Sequence, residues 1–298
     1  MDYQHISGVI KELRKHNNMT QKELAEDICT QAQISKLENG NEYPSCITLY
    51  YISQKLGVDM DYFFESIYTP RLDYVNEVKT LLREFIRERN YEEVFQIVQN
   101  EKNTPLFKSG HNLQFLIWHE GIAEYYMHGN VERAIDLCTY ALNITSNHYK
   151  PYSEREIEIL NSIGIIYKEN NEHQKALYVF EDALSHFLHL PKISDRTIQI
   201  RIIYNASKVS YNLKEWHQGI SFCEQGINLC KKTESLYLLG ELYYQKGRCY
   251  FNSHHQEEAF SQYHKALSVF EIQDKTAYIK VVQDAINEVT GEEQVGSQ

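Results

Sequence analysis

The sequence predicts an all-α protein in two parts. A small five-helix domain containing a helix-turn-helix comes first, and a superhelix of about five helix hairpins follows. Three observations predict this. Among 298 residues there are only 13 Gly and 5 Pro, too few for the turns of sandwiches and barrels or for the breakers of a disordered chain. Apolar residues recur at helical spacing from Ile6 onward. An aromatic residue returns at Phe85, Tyr125, Tyr167, Tyr211 and Tyr250, a period of roughly 40 that marks stacked repeats.

Composition bounds the rest. Apolar residues make up 42% and charged residues 24%, with a formal net charge of −11; these are ordinary proportions for a globular chain on the acidic side. No apolar run reaches membrane-spanning length, and the opening MDYQHISGVIKELRKHN is charged and amphipathic. Neither a signal peptide nor a membrane span is expected, and the expected location is cytoplasmic. The six cysteines form no CxxC pair, so they are expected as buried free thiols in a reducing cytosol, without zinc or disulfides.

Taken in order, HISGVIKELRKHN carries Val9, Ile6, Ile10 and Leu13 on one helical face. Thr20 stands three before Glu23, a capping box that opens a second helix, TQKELAEDI. Thr30 caps a third, QAQISKLEN, which Gly40 closes in a left-handed conformation. Pro44-Ser45 restarts the chain into CITLYYISQKLG, and DMDYFFES makes a fifth helix. Ile10, Leu13, Leu24, Ala25, Ile28, Ile34, Leu37, Leu49, Ile52 and Leu56 are expected to close one small core.

Beyond Pro70 the helical pattern repeats. Leu160, Gly164, Tyr167, Ala176, Phe180 and Ala183 sit at the offsets of the tetratricopeptide pattern. Tyr243, Gly247, Tyr250, Ala259, Tyr263 and Ala266 repeat them, as do Trp118, Tyr125, Ala134, Cys138 and Ala141. Tyr211, Gly219, Cys223 and Gly226 follow with a loop one residue shorter, and Phe85, Val94 and Val98 mark a degenerate first copy. The small residues are expected to let the two helices of a hairpin approach, with the aromatic filling the gap against the next repeat. A lone hairpin cannot bury its apolar face, so stacking and a concave inner surface follow. The position six before each landmark aromatic is expected to face that groove: Lys79, His119, Asn161, Asn205 and Tyr244. An amide there offers both donor and acceptor to an extended peptide; the alternative is that Asn161 and Asn205 bond only neighbouring helices or water. The expected organisation is a reader over 1–66, a linker over 67–75, the repeats over 76–290 and a flexible tail over 291–298.

The run LRKHNNMTQKELAEDICTQAQISKLENGNEYPSCITLYYISQKLGV resembles the Cro/repressor-like (XRE) family, through TQ-x-ELA, IS-x-LE-x-G, P-S and L-x-x-I-x-x-x-L. That resemblance implies that Gln21 bonds a phosphate and that Gln31, Gln33 and Lys36 project from the third helix. Glutamine can bond adenine N6 and N7 together, which makes Gln31 and Gln33 base readers. Ser35 and Lys36 fall to phosphates, with an internal helix bond the alternative for Ser35. Against this, residues 1–65 hold six Lys and Arg and ten Asp and Glu, no basic footprint at all. Two copies on a two-fold site would add their contacts, so a homodimer is expected.

A Cro-like domain followed by five such repeats resembles the PlcR-type quorum-sensing regulators of Gram-positive bacteria, with ENG-x-EYPS, RERNYEEV and LGELYYQKGRCY as further matching runs. The resemblance implies a homodimer that binds palindromic promoter DNA and is switched, as an activator, by a short signalling peptide in the groove. RNA polymerase is then a further partner. It also implies peptide contacts at Asn161, Asn205, Arg87, Arg89, Tyr278 and Glu241, where the family pattern has glutamine. Tyr244 and His119 come from the groove register. Solvated charge is the alternative for Arg87 and Arg89, and core packing is the expectation for Phe64, which the family places near the groove's end. Two other readings stay open: a DNA-binding scaffold that recruits a protein partner without peptide, and a Rap-like phosphatase. Rap-group proteins carry a three-helix bundle instead of a DNA reader, and no catalytic constellation, cofactor motif or metal motif is present here. His254-His255 is expected in a solvated turn.

Overall fold

The computed structural model describes residues 4–68, 71–108, 110–145 and 151–291. Among these residues all regular structure is helical, as the all-α expectation requires. By internal contacts the chain divides into two compact units, Met1–Asn90 with Gln99–Asn112, and Tyr91–Val98 with Leu113–Gln298.

The first unit opens with α1 (Gln4–His16), α2 (Gln21–Ala25), α3 (Gln31–Glu38), α4 (Cys46–Leu56) and α5 (Met60–Tyr68). Thr20 and Glu23 form the expected capping box. The second helix stops at Ala25 rather than running to Ile28, because Asp27 adopts φ 64°, a left-handed state that Asp tolerates better than most residues. The amides of Ile28 and Cys29 then turn back onto the Ala25 carbonyl at 3.0 and 2.9 Å. Ser45 caps α4, and Gly57 ends it at φ 75°.

Ile6, Ile10, Leu24, Ala25, Ile34, Leu37, Leu49, Ile52, Leu56 and Phe63 form the buried core, with Leu13 and Ile28 half-buried against it. Two of these, Ile6 and Phe63, were absent from the sequence-based set. The expectation for Phe64 fails: it is 42% exposed while Phe63 is 0% exposed. Neighbouring residues on a helix point about 100° apart, so only one of the pair can face inward. The expected linker also shrinks, since Ile67 and Tyr68 belong to α5 and the next helix, α6 (Leu72–Glu88), begins at Leu72.

The remaining helices are α7 (Tyr91–Glu101), a short 3-10 turn (Pro105–Phe107), α8 (Gly110–His128), α9 (Val131–Thr145), α10 (Glu154–Glu169), α11 (His173–Phe187), α12 (Arg196–Asn212), α13 (Trp216–Lys232), α14 (Leu239–Asn252), α15 (Gln256–Ile272) and α16 (Thr276–Thr290). From α9 to α16 each helix packs on the next, and α10, α12 and α14 lie side by side in one layer. The small residues act as expected within hairpins: a Cβ on Gly164 would lie 2.5 Å from the Phe180 ring, and one on Gly247 2.5 Å from the Tyr263 ring. The ring against each of these two glycines comes from the second helix of the same hairpin, while the landmark Tyr211 reaches the next repeat as expected, its hydroxyl accepting from Asn252 Nδ2 at 3.1 Å. The array ends on α16, whose Val282, Ile279, Ile286 and Val289 cover Tyr263 and Phe270. Of the expected tail, Gly291 closes α16 at φ 72°, and 292–298 lie outside the described residues.

Four of the six thiols are buried; Cys29 is half-buried and Cys46 exposed, contrary to expectation. Burial alone pushes the Cys138 thiol up to about 12. Among the described residues no helix is long and apolar enough to cross a membrane. His254 and His255 are exposed in the α14–α15 turn, with His254 at φ 64°.

Candidate functional site

In the first unit a relay of side chains runs from the core to the surface. Arg14 of α1 meets Glu38 at the end of α3 through Nε at 2.5 Å and Nη2 at 3.0 Å, and both side chains are nearly buried. Burial works to raise the Glu38 carboxyl, but bonds from Arg14 and Gln21 outweigh it and hold the group below the usual carboxylate range. Gln21 donates from Nε2 to Glu38 at 2.9 Å and accepts from Gln31 Nε2 at 2.8 Å. The buried ion pair therefore fixes the Gln21 amide, and Gln21 orients the exposed Gln31. The carbonyl oxygen and the second N–H of Gln31 stay available. An open hollow lined by Thr20, Gln21, Lys22, Ala25, Cys29 and Gln31 lies between α2 and α3.

The other expected readers are placed differently. Gln33 folds back as the third residue of a second capping box, its Oε1 accepting from Thr30 N at 3.1 Å and Thr30 Oγ1 at 3.3 Å. The T-x-x-Q spacing of that box was visible in TQAQ. Lys36 is exposed and sits 3.8 Å from Glu42, and Ser35 is half-buried beside it on α3. Arg87 and Arg89 are exposed residues of the first unit, and Arg89 is the left-handed residue at φ 60° that closes α6.

In the second unit the two groove asparagines meet. Asn205 Nδ2 donates to Asn161 Oδ1 at 3.0 Å, linking equivalent turns of α12 and α10. Both are nearly buried, at 7% and 5% exposure. The bond uses one donor and one acceptor, and the pair retains both N–H groups of Asn161 and the carbonyl of Asn205. Parallel links bracket them: Trp118 Nε1 donates to Ser162 Oγ at 2.9 Å, and Arg201 Nη1 lies 3.7 Å from Glu158. His119, expected in the same register, is 2% exposed, stacks on Phe115 at 4.1 Å and keeps Nδ1 2.8 Å from the Phe115 carbonyl. As placed it is held within an aromatic cluster and offers no surface.

The α14 end is tyrosine-rich. Glu241 is 6% exposed; its Oε1 accepts from Lys275 Nζ at 2.8 Å, while its Oε2 is buried with no donor among the described residues. Lys275 lies 5.5 Å from the ring of the half-exposed Tyr278. Burial, and then Glu241, push the Tyr204 hydroxyl up. Tyr244 is half-buried, its ring 5.6 Å from Tyr263. The Glu241–Lys275 pair spans 34 residues and left no sequence signal.

The helix-turn-helix family model matches residues 10–63. Bacillus thuringiensis PlcR in complex with the peptide PapR7 and DNA superposes with a TM-score of 0.78 at 26% identity, covering 94% of this chain and 99% of that one. ComR from S. thermophilus, in complex with DNA and its signalling peptide, gives 0.58 at 15% identity, over 96% and 99% of the two chains. The pheromone receptor Rgg2 from Streptococcus dysgalactiae gives 0.62 at 14%, over 95% and 99%. At those identities the last two share the fold. No curated protein sequence matches the chain significantly. The model of the RNPP family C-terminal domain matches residues 79–287, well over half of the chain, which therefore belongs to the RNPP family.

Proposed function

We propose that the chain is a cytoplasmic, homodimeric transcription regulator of the quorum-sensing type rather than an enzyme. Its helix-turn-helix, residues 1–66, reads a palindromic promoter site, and a short signalling peptide bound by repeats within 76–290 controls it. The observation that carries this reading is the Asn161–Asn205 amide pair, two donor-acceptor groups in equivalent positions of adjacent repeats. They are bonded once to each other and still capable of holding a peptide backbone. The solved PlcR complex, 26% identical over nearly the whole chain, contains both peptide and DNA, which supports the same pairing of ligands here. Gln21, Gln31, Gln33, Ser35 and Lys36 are the proposed DNA contacts. Asn161, Asn205, Tyr244, Glu241 and Tyr278 are the proposed peptide contacts of the second unit, and His119 joins them only after leaving its ring stack; a peptide contact at Arg87 and Arg89, exposed in the first unit, is a separate proposal.

Isothermal titration of the purified chain against heptapeptides tests this. Binding is expected, and Asn161→Ala with Asn205→Ala is expected to abolish it while circular dichroism stays unchanged. A chain that binds operator DNA but no peptide would return the repeats to a partner-recruiting role.

A further inference from the structure

One cation in the second unit has no acid of its own. Arg248 lies on α14 one helical turn beyond Tyr244, the groove position of its repeat, and is half-buried. Its guanidinium carbon sits 3.9 Å from the centroid of the Tyr211 ring, and Nη1 donates to Gln245 Oε1 at 3.2 Å. Among the described residues no carboxylate pairs with it. Asp284 and Glu288 of α16 bear on Tyr244, as Arg248 itself does.

A guanidinium stacked on a ring uses its flat face and leaves its edge donors for a planar acceptor. Four of the five N–H groups of Arg248 are not used by Gln245. Partial burial strengthens whatever bond they make, and a carboxylate is the acceptor whose two oxygens match the fork. The surroundings also give direction. Glu241 lies seven residues earlier on α14, about 10 Å away along the axis, and its charge is already met by Lys275, so an anionic ligand group is drawn to Arg248 instead.

We propose that Arg248, seated on Tyr211, reads a carboxylate of the bound peptide, either its C-terminus or an Asp or Glu side chain. This rests on the peptide reading above and deepens it by naming a ligand group. Asn161 and Asn205 hold backbone whatever the side chains; Arg248 makes the groove selective for charge.

Affinity selection with heptapeptide libraries tests it, using the full-length protein and Arg248→Gln and Arg248→Lys variants whose helicity and thermal transition match the parent. Three libraries are used: free acids, C-terminal amides, and free acids with Asn and Gln replacing Asp and Glu. The unmodified protein is expected to prefer the acid form at one of the two positions by about 10- to 100-fold, and the library that loses binding identifies which. Arg248→Gln is expected to lose most of that preference, with Arg248→Lys in between. Full discrimination retained by Arg248→Gln, or peptides selected without regard to charge, would overturn this inference alone. Failure of the unmodified protein to select from any library would overturn the peptide reading, and this inference with it.

Discussion

At the residue scale, the Arg14–Glu38 pair is both structural support and part of the reader. The Glu38 carboxyl is held below its ordinary value against the opposing effect of burial. A group whose pKa is depressed by folding contributes stability that is present above its unfolded value, about 4.3, and is lost as pH falls through the folded one. Glu38→Gln is therefore expected to cost about 3 kcal/mol at pH 7, since it strands a nearly buried Arg14, and the gap to the parent should close in acid. Hydrogen exchange of the α1–α4 amides against pH measures this; a pH-independent gap would mean that the charge on Glu38 is irrelevant. Gln31→Ala leaves that pair untouched. It is expected to weaken operator binding by about 1–3 kcal/mol without changing peptide affinity, as fluorescence anisotropy and calorimetry can check. Unaltered operator affinity would show that α3 does not lie in the groove as proposed.

At the element scale, the hairpins depend on glycines that admit a ring from the facing helix. Gly164→Ala places a methyl group 2.5 Å from Phe180, and an overpacked contact of this kind costs about 1–3 kcal/mol. A lower thermal midpoint is expected for that variant, whereas Gly129→Asn, at a left-handed loop position with open space around it, is expected to change it little. The same elements show what a sequence can and cannot disclose. Caps, periodic apolar faces and the repeat spacing are local patterns, so α1, α3, α4 and the hairpin landmarks could be read directly. The groove register put Asn161 and Asn205 in equivalent turns of adjacent repeats, and the 3.0 Å bond between them is the contact with a neighbouring helix that the sequence left open as their alternative role. What escaped depends on tertiary choice. Phe63 or Phe64 could have faced the core equally well by pattern, and Asp27 gave no sign that it would end α2. Pairs as distant as Arg14–Glu38 and Glu241–Lys275 have no spacing rule. The row that identified His119 as a groove residue did not foresee that Phe115 and Trp118 would enclose it.

At the scale of the whole molecule, charge sets the terms of DNA binding. Most non-specific affinity for DNA comes from lysines and arginines that displace counterions from phosphates. Here the chain carries a formal charge of −11, and residues 1–65 hold more acids than bases. A single reader therefore gains little from the backbone and must rely on a few directed contacts such as the oriented Gln31. Two readers held together add those contacts, and the gain depends on whether their separation matches the operator's half-sites. A ligand that changes only how two copies are held could then turn binding on without touching DNA. DNA carrying two half-sites about 10 base pairs apart, centre to centre, is expected to bind at least tenfold more tightly than one half-site. Shifting the spacing by about five base pairs, half a helical turn, should abolish that gain. The salt dependence should be shallow, because few phosphates are neutralised. Anisotropy titrations across spacing and salt measure all three. Equal affinity for one and two half-sites, or a steep salt slope, would show that a lone reader suffices and that the acidic surface does not face the DNA.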